Sequence, residues 1–224
     1  VAIVGQTRSV AVQLVVFDLD GTIIDSAPGI AATANAALAE FSYPPLTSME
    51  LAGFIGPPLR ESFAHLSVDP DHVDDLVLAY RRHYAGGHLY NATVYDGVEQ
   101  LFSELRARGI RVAVATAKQE RFAVRILEEF GLAEFFDTIA GTDHERERTT
   151  KAQVVAEVLQ RLGTTDPDSV LMVGDRHHDA HGAAVHGVAT IGVLWGYGDR
   201  DELLGASVLH LVEHPSEITV LVSG

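Results

Sequence analysis

Residues 12–17 are apolar except for Gln13, and the run ends abruptly in Asp18-Leu19-Asp20-Gly21-Thr22. A run this short and this apolar reads as a strand buried on both faces, which calls for a parallel sheet covered by helices. In such sheets the reactive groups collect at the carboxyl ends of the strands. Two carboxylates at i and i+2, followed by a glycine that lets the backbone turn, make a compact anionic corner at one of those ends. The plainer reading is an Asp-rich turn that closes a strand, and the rest of the chain has to decide between the two.

Further strands are expected at 110–115, 136–140, 170–173, 188–193 and 208–212. Helices alternate with them. Val98, Leu101, Phe102 and Leu105 mark one helical face, which Gly109 ends. Ala123, Ile126, Leu127 and Phe130 mark another, which Gly131 stops. Thr150 and Gln153 have the spacing of a capping box, and Val154, Val155, Val158, Leu159 and Leu162 form the face of the helix that follows. A fourth helix runs through the alanine-rich segment to Gly187. This alternation predicts an α/β fold: a doubly wound, mostly parallel, Rossmann-like sheet with right-handed crossovers.

One stretch breaks the pattern. Residues 26–91 carry helical signals and no strand. Asp25 or Ser26 can cap a first helix, with Pro28 in its first turn and Tyr43-Pro44-Pro45 beyond its end. Thr47 and Glu50 repeat the capping-box spacing. A loop at 53–59 precedes helices at 59–66 and 70–88. A stretch this long cannot be a βα connection. The expected organisation is therefore a core of 10–25 and 92–224 with an inserted all-helical cap at 26–91. Residues 1–9 carry no clear element and read as a frayed end.

The net charge of −15 argues against a nucleic-acid partner, which needs a basic face. It leaves room for a small phosphorylated substrate in a locally positive site. The chain has no cysteine, which removes disulfides, thiolate metal sites and thiol catalysis. That fits a reducing compartment, and a cytoplasmic location is expected. No apolar run reaches the length of a membrane span, and the first ten residues lack the pattern of a signal peptide. The chain is expected to act as a monomer or homodimer.

Three strand ends carry polar residues suited to phosphoryl transfer: Asp18 and Asp20 at the first, Thr116 at the second, and Asp175 with Asp179 at the fourth. Lys151 opens the helix that precedes the fourth. A carboxylate can attack phosphorus to form an acyl phosphate. Nucleophile and substrate are then both anionic, so a hard divalent cation with oxygen ligands, Mg²⁺ above all, is called for. Charge on the transferring group must also be met by donors. Thr116, Lys151 and backbone N–H groups can supply them.

Asp18-Leu19-Asp20-Gly21-Thr22, Thr116, Lys151 and Gly174-Asp175-xxx-Asp179 resemble, in order, the four motifs of the haloacid dehalogenase superfamily. The helical insert resembles that superfamily's mobile cap. Gly56-Pro57-Pro58-Leu59, Tyr95-Asp96-Gly97-Val98 and Gly174-Asp175-Arg176-x-His178-Asp179 look like its phosphoglycolate phosphatase-like branch. The resemblance implies that Asp18 is the nucleophile and that Asp20 is the acid for the leaving oxygen, then the base for water. It implies that Mg²⁺ is held by Asp18, the backbone carbonyl of Asp20 and Asp175, with Asp179 holding metal-bound water or a neighbouring ligand. Thr116 and Lys151 would bind the phosphate. The presence of Asp20 favours phosphate esters over haloalkanoates, whose halide needs no acid.

Ala117, Ala152 and Arg176 depart from residues common in the family. Lys118 competes with Lys151 for the phosphate, although it could cover the sheet edge instead. Arg60, after the cap loop, is the candidate for reading the leaving group. His177, His178, His181 and His186 cluster, with surface and packing roles favoured over a metal site. Asp71, Asp74 and Asp75 read as an exposed helix face, and 143–148 as a solvated loop. Trp195 and Tyr197 could shape the rim of the site or pack under the loop. The expected function is Mg²⁺-dependent hydrolysis of a small phosphorylated metabolite. The competitors are a mutase or a phosphotransferase acting on a side chain such as Tyr, and a silent binding protein of the same fold.

Overall fold

The computed structural model describes residues 11–143 and 145–222. The frayed end expected at 1–9 lies outside them. The chain begins with β1 (Leu14–Phe17) and β2 (Ile24–Asp25). It then runs through α1 (Ala27–Glu40), α2 (Ser48–Phe54), α3 (Leu59–Ala64) and α4 (Val73–Ala85), and returns at β3 (Thr93–Val94). Next come α5 (Val98–Ala107), β4 (Arg111–Gln119), α6 (Glu120–Glu129), β5 (Thr138–Thr142), α7 (Lys151–Arg161) and β6 (Val170–Gly174). The chain closes with α8 (His177–Ala184), β7 (Ala189–Val193), α9 (Arg200–Gly205), β8 (His210–Val212) and α10 (Pro215–Leu221).

Six of the strands form one sheet in the order β5-β4-β1-β6-β7-β8, and every neighbouring pair is parallel. The chain builds outward from β1 on one side and then crosses to β6 on the other. The reversal of winding therefore falls beside β1, where open sheets of this kind place their ligands. The register is in step there: Phe17 lies beside Val114 on β4 and Val173 on β6. Asp18 N–H continues the ladder to the Val173 carbonyl at 2.9 Å. The residues that follow these three strands thus emerge at one level.

Alternate residues of β1 enter opposite layers, as the two-residue period of a strand requires. Val15 and Phe17 join the larger apolar layer with α5 and α6. Leu14 and Val16 join the smaller one with Val154, Val155 and Val158 of α7. Phe17 meets Phe102 of α5 edge-on, ring centres 5.1 Å apart. The larger layer continues without a break into the inserted helices through Ile30, Phe54, Phe63 and Leu76. Both predicted capping boxes form, Thr47 with Glu50 and Thr150 with Gln153.

The insert leaves and rejoins the sheet through β2 and β3, which pair antiparallel. This ribbon is two residues long on each side and has no periodicity to read. The helix expected at 70–88 is shorter: Pro70–His72 and His88–Tyr90 are 3₁₀ turns flanking α4. Strand β4 runs four residues past the expected end, because a register shift after Ala115 lets Gln119 pair with Thr142. Helices α9 and α10 were not expected. Each is short, and α9 buries one side chain, Leu203.

Among the described residues, no helix is long and apolar enough to cross a membrane.

Candidate active site

The turn after β1 is held tightly against the end of β6. Gly21 has φ +82°, and a Cβ there would overlap the Asp175 carboxylate. Only glycine meets both demands at once. Thr22 Oγ1 donates to Asp175 Oδ1 at 3.3 Å, and the Tyr197 N–H donates to Asp175 Oδ2 at 2.8 Å. Asp175 is fully buried. Asp179 sits in the first turn of α8, where its Oδ2 accepts from the Arg176 N–H at 3.1 Å.

Lys151, the first residue of α7, reaches back across this floor. Its Nζ lies 2.7 Å from Asp18 Oδ1 and 2.6 Å from Asp179 Oδ1, and it donates to the Ala115 carbonyl at 2.9 Å. Burial opposes its charge, but Asp179 and Asp18 outweigh that and push the ammonium up. One ammonium does not balance three carboxylates. Burial, then the nearby charges of Asp179 and Asp18, push the Asp175 carboxyl well above its usual range. Burial does the same to Asp18, with Lys151 pulling it back. Oxygens of Asp18, Asp175 and Asp179 all lie within 4.8 Å of one another. An all-oxygen, net-negative set of this kind suits a hard divalent cation.

Asp20 lies apart from that trio. Its Oδ2 is 3.0 Å from Lys118 Nζ, and its Oδ1 is buried without a hydrogen-bond partner. Lys118 does not cover the sheet edge. Its side chain is 9% exposed and donates to the Tyr84 hydroxyl of α4 at 2.6 Å. Burial opposes its charge too, and Asp20 and Tyr84 reverse the effect and push it up. Thr116 is buried on β4, and its Oγ1 accepts the Lys118 N–H at 3.2 Å. Thr116 is not a helix cap, because the strand continues and Gln119 takes the N-cap position of α6.

A cavity of about 960 Å³ opens over these groups, between the strand ends and the inserted helices. Asp18, Asp20, Thr116, Lys118, Lys151 and Asp179 face it, and Arg60 and Tyr80 line the opposite side. Arg60 forms an exposed ion pair with Asp74. Asp71, Asp74 and Asp75 are exposed, as expected. Arg148 leaves its charged loop: it is buried and pairs with Glu120 at 2.5 Å and Glu157 at 3.3 Å. His177 binds Glu202 at 2.6 Å through Nδ1, and its ring lies tilted against that of His178. His186 contacts the Ala152 carbonyl. Among the described residues, the carboxylate trio is the group that could hold a metal ion, and no histidine belongs to it.

Sequence reasoning left three contributors without their roles. Lys118 ranks below Lys151 for the phosphate in the sequence, being only two residues from Thr116 and able to cover the sheet edge. Tyr197 was read as rim or packing. Its hydroxyl accepts the Ser26 and Ala27 N–H groups at 2.8 and 3.0 Å and donates to Asp25 at 3.0 Å, so one residue ties Asp175 to the start of α1. Arg176, given no contact role from sequence, donates to the Ile55 carbonyl in the insert at 2.9 Å and pairs with Glu202 at 2.9 Å. Each acts across a long sequence separation that spacing does not reveal.

Residues 15–193 match the family model described as haloacid dehalogenase-like hydrolase. The tyrosine-protein kinase PtkA of Mycobacterium tuberculosis is 37% identical over 209 residues, which are 93% of this chain and 71% of that protein. A 5'-nucleotidase of Pseudomonas aeruginosa is 36% identical over 197 residues, 88% of this chain and 89% of that one. Among solved structures, a haloacid dehalogenase-like hydrolase, SP0104 of Streptococcus pneumoniae, superposes with a TM-score of 0.88 at 28% identity, covering 94% of this chain and 98% of the other.

Proposed function

The chain belongs to the haloacid dehalogenase-like hydrolase family, and we propose that it cleaves a small phosphate monoester through a phosphorylated Asp18, with Mg²⁺ as cofactor. It is a phosphoric monoester hydrolase. The observation that carries the finer reading is the position of Asp18: 2.7 Å from a buried ammonium and within 4.8 Å of two further carboxylates, at the floor of a large cavity.

Asp18 attacks phosphorus, a P–O(Asp) bond forms and the ester P–O bond breaks. Asp20 gives its proton to the departing oxygen. A water then attacks the acyl phosphate, Asp20 takes the water's proton, and inorganic phosphate leaves a restored Asp18. Lys151 and Thr116 meet the negative charge of the phosphoryl group at the floor of the cavity. A divalent cation held by Asp18 and Asp175, with Asp179 alongside, would supply the charge neutralisation that lets an anion attack an anion. In this reading the insert is the cap. It covers the site and selects the leaving group.

The likeness to a protein named a tyrosine kinase favours a second reading, in which the phosphoryl group of Asp18 passes to a protein hydroxyl rather than to water. Release of inorganic phosphate from p-nitrophenyl phosphate, with and without Mg²⁺, tests both. Metal-dependent release that is lost in Asp18→Asn supports hydrolysis. Full activity in Asp18→Asn would sink the mechanism. Phosphate retained on the protein until a hydroxyl acceptor is added would favour transfer.

A further inference from the structure

Val77, Leu78, Tyr80, Arg81 and Tyr84 face the cavity over Asp18, with the spacing of one side of a helix. Tyr84 is accounted for by its bond to Lys118, and the apolar members need no polar partner. Arg81 is different. Its Nε is buried and has no hydrogen-bond partner. Among the described residues, no carboxylate pairs with its guanidinium, whereas its neighbour Arg82 pairs with Glu40 and Arg60 across the cap pairs with Asp74. An orphaned buried donor costs stability, and folded proteins seldom leave one without a purpose. Arginine cannot shed its charge to escape that cost.

The position of Arg81 gives the orphan a meaning. It lies three residues before Tyr84, roughly 4.5 Å along the helix axis. Tyr84 touches Lys118, and Lys118 touches Asp20. Arg81 thus lies one helical turn from a residue linked through Lys118 to Asp20, the group assigned to the leaving oxygen, and lines the same cavity. Arg60, the candidate from sequence, already has its counter-ion in Asp74.

We propose that Arg81 binds a second acidic group carried by the leaving group of the substrate. The ester is then anionic at both ends: phosphate over Asp18 and a carboxylate or second phosphate on Arg81. A planar guanidinium suits either, because both accept its paired N–H donors side by side. The cavity of about 960 Å³ is at the upper end of small-molecule sites and leaves room for a body between the two ends. This assignment rests on the reading of Asp18 as the nucleophile of a phosphatase.

The test is a chain-length series of three ester types: alkyl phosphates, ω-carboxyalkyl phosphates and α,ω-bisphosphates, each with Mg²⁺. The wild-type protein is expected to prefer an acid-ended ester over the alkyl ester of equal length by tenfold or more in kcat/KM. Whether the carboxylate or the bisphosphate arm shows the preference identifies the acid. Arg81→Gln is expected to reduce that ratio to near one, and Arg81→Lys to keep part of it; thermal melts of each variant report folding. A wild-type ratio near one, or a ratio unchanged in Arg81→Gln, would overturn the proposal. If Arg81→Gln does not fold, a full ratio in Arg81→Lys, which keeps the charge and loses the paired donors, overturns it. Cleavage of none of the esters by wild-type protein would overturn the phosphatase reading itself and this inference with it, an outcome distinct from cleavage without preference.

Discussion

The ammonium of Lys118 lies 3.0 Å from Asp20 Oδ2, and on its other side it donates to the Tyr84 hydroxyl at 2.6 Å. A strand of the sheet and a helix of the insert therefore meet at the carboxylate proposed for proton transfer. Lys118 needs no contact with the phosphate to matter: it aims Asp20. Lys118→Met should lower kcat on an alkyl phosphate by about 10- to 100-fold, up to the lower end of what a general acid–base group itself supplies. The loss should be smaller on p-nitrophenyl phosphate, whose phenolate leaves without a proton. Lys118→Arg should restore part of it. Equal losses on both esters would mean that Lys118 acts only by holding the fold.

Asp18 and Asp20 should separate cleanly in single turnovers. Asp18→Asn removes the attacking oxygen, so no phosphate label should become bound to the protein. Asp20→Asn leaves attack on an aryl ester possible but removes the base for water. Labelled protein should then accumulate, with steady-state turnover down by about 10²-fold or more. Label on Asp18→Asn protein, stable to acid and released by hydroxylamine, would place the acyl phosphate on another carboxylate.

Much of this was legible before any coordinates. The run ending at Phe17 had to be a buried strand, and the repeated pattern of apolar strands and one-sided helices required a parallel sheet. Strand ends then collect side chains at one edge, so Asp18, Thr116, Asp175 and Asp179 fell together, and the capping box at Thr150 placed Lys151. The contact of Lys118 with Asp20 was not legible because the register shift after Ala115 extends β4 past its apolar stretch. Tyr197 and Arg176 were not legible because their partners, Ser26 and Ile55, lie more than a hundred residues away. Arg81 sat in a polar run with Arg82 and His83, and only the fold shows which of them lacks a partner.

The carboxylate trio should make the metal-free protein less stable than it could be. Asp18, Asp175 and Asp179 share one ammonium, and burial adds to their repulsion. Asp175→Asn should keep or raise the metal-free melting temperature by about 2–4 °C, the shift that roughly 1 kcal/mol gives a chain of this size. The same change should abolish activity. Mg²⁺ should raise the melting temperature of wild-type protein and leave Asp175→Asn unmoved, and chelation should remove activity reversibly. Equal stabilisation of both proteins by Mg²⁺ would place the ion elsewhere.

Glu202 should make the tether between site loop and cap sensitive to acid. It accepts from Arg176 Nε and the His177 N–H, each at 2.9 Å, and from His177 Nδ1 at 2.6 Å. Burial would raise its carboxyl, but the His177 N–H and the Arg176 guanidinium outweigh it and hold the group at about 2, against an ordinary 4.5. Because the folded value is the lower one, the unfolded chain binds the proton first as pH drops. The stabilisation is complete above about 4.5 and is lost as the pH falls towards 2. The site is partly open to solvent, so the contribution is about 1 kcal/mol rather than the full shift. Glu202→Gln should therefore melt about 2–4 °C below wild type at neutral pH, and the gap should close on acidification. A gap that stays constant across that range would show that Glu202 contributes through shape and not through charge. The Arg176 side chain that Glu202 steadies also donates to the Ile55 carbonyl, so KM should rise in Glu202→Gln as the cap loop loses its anchor.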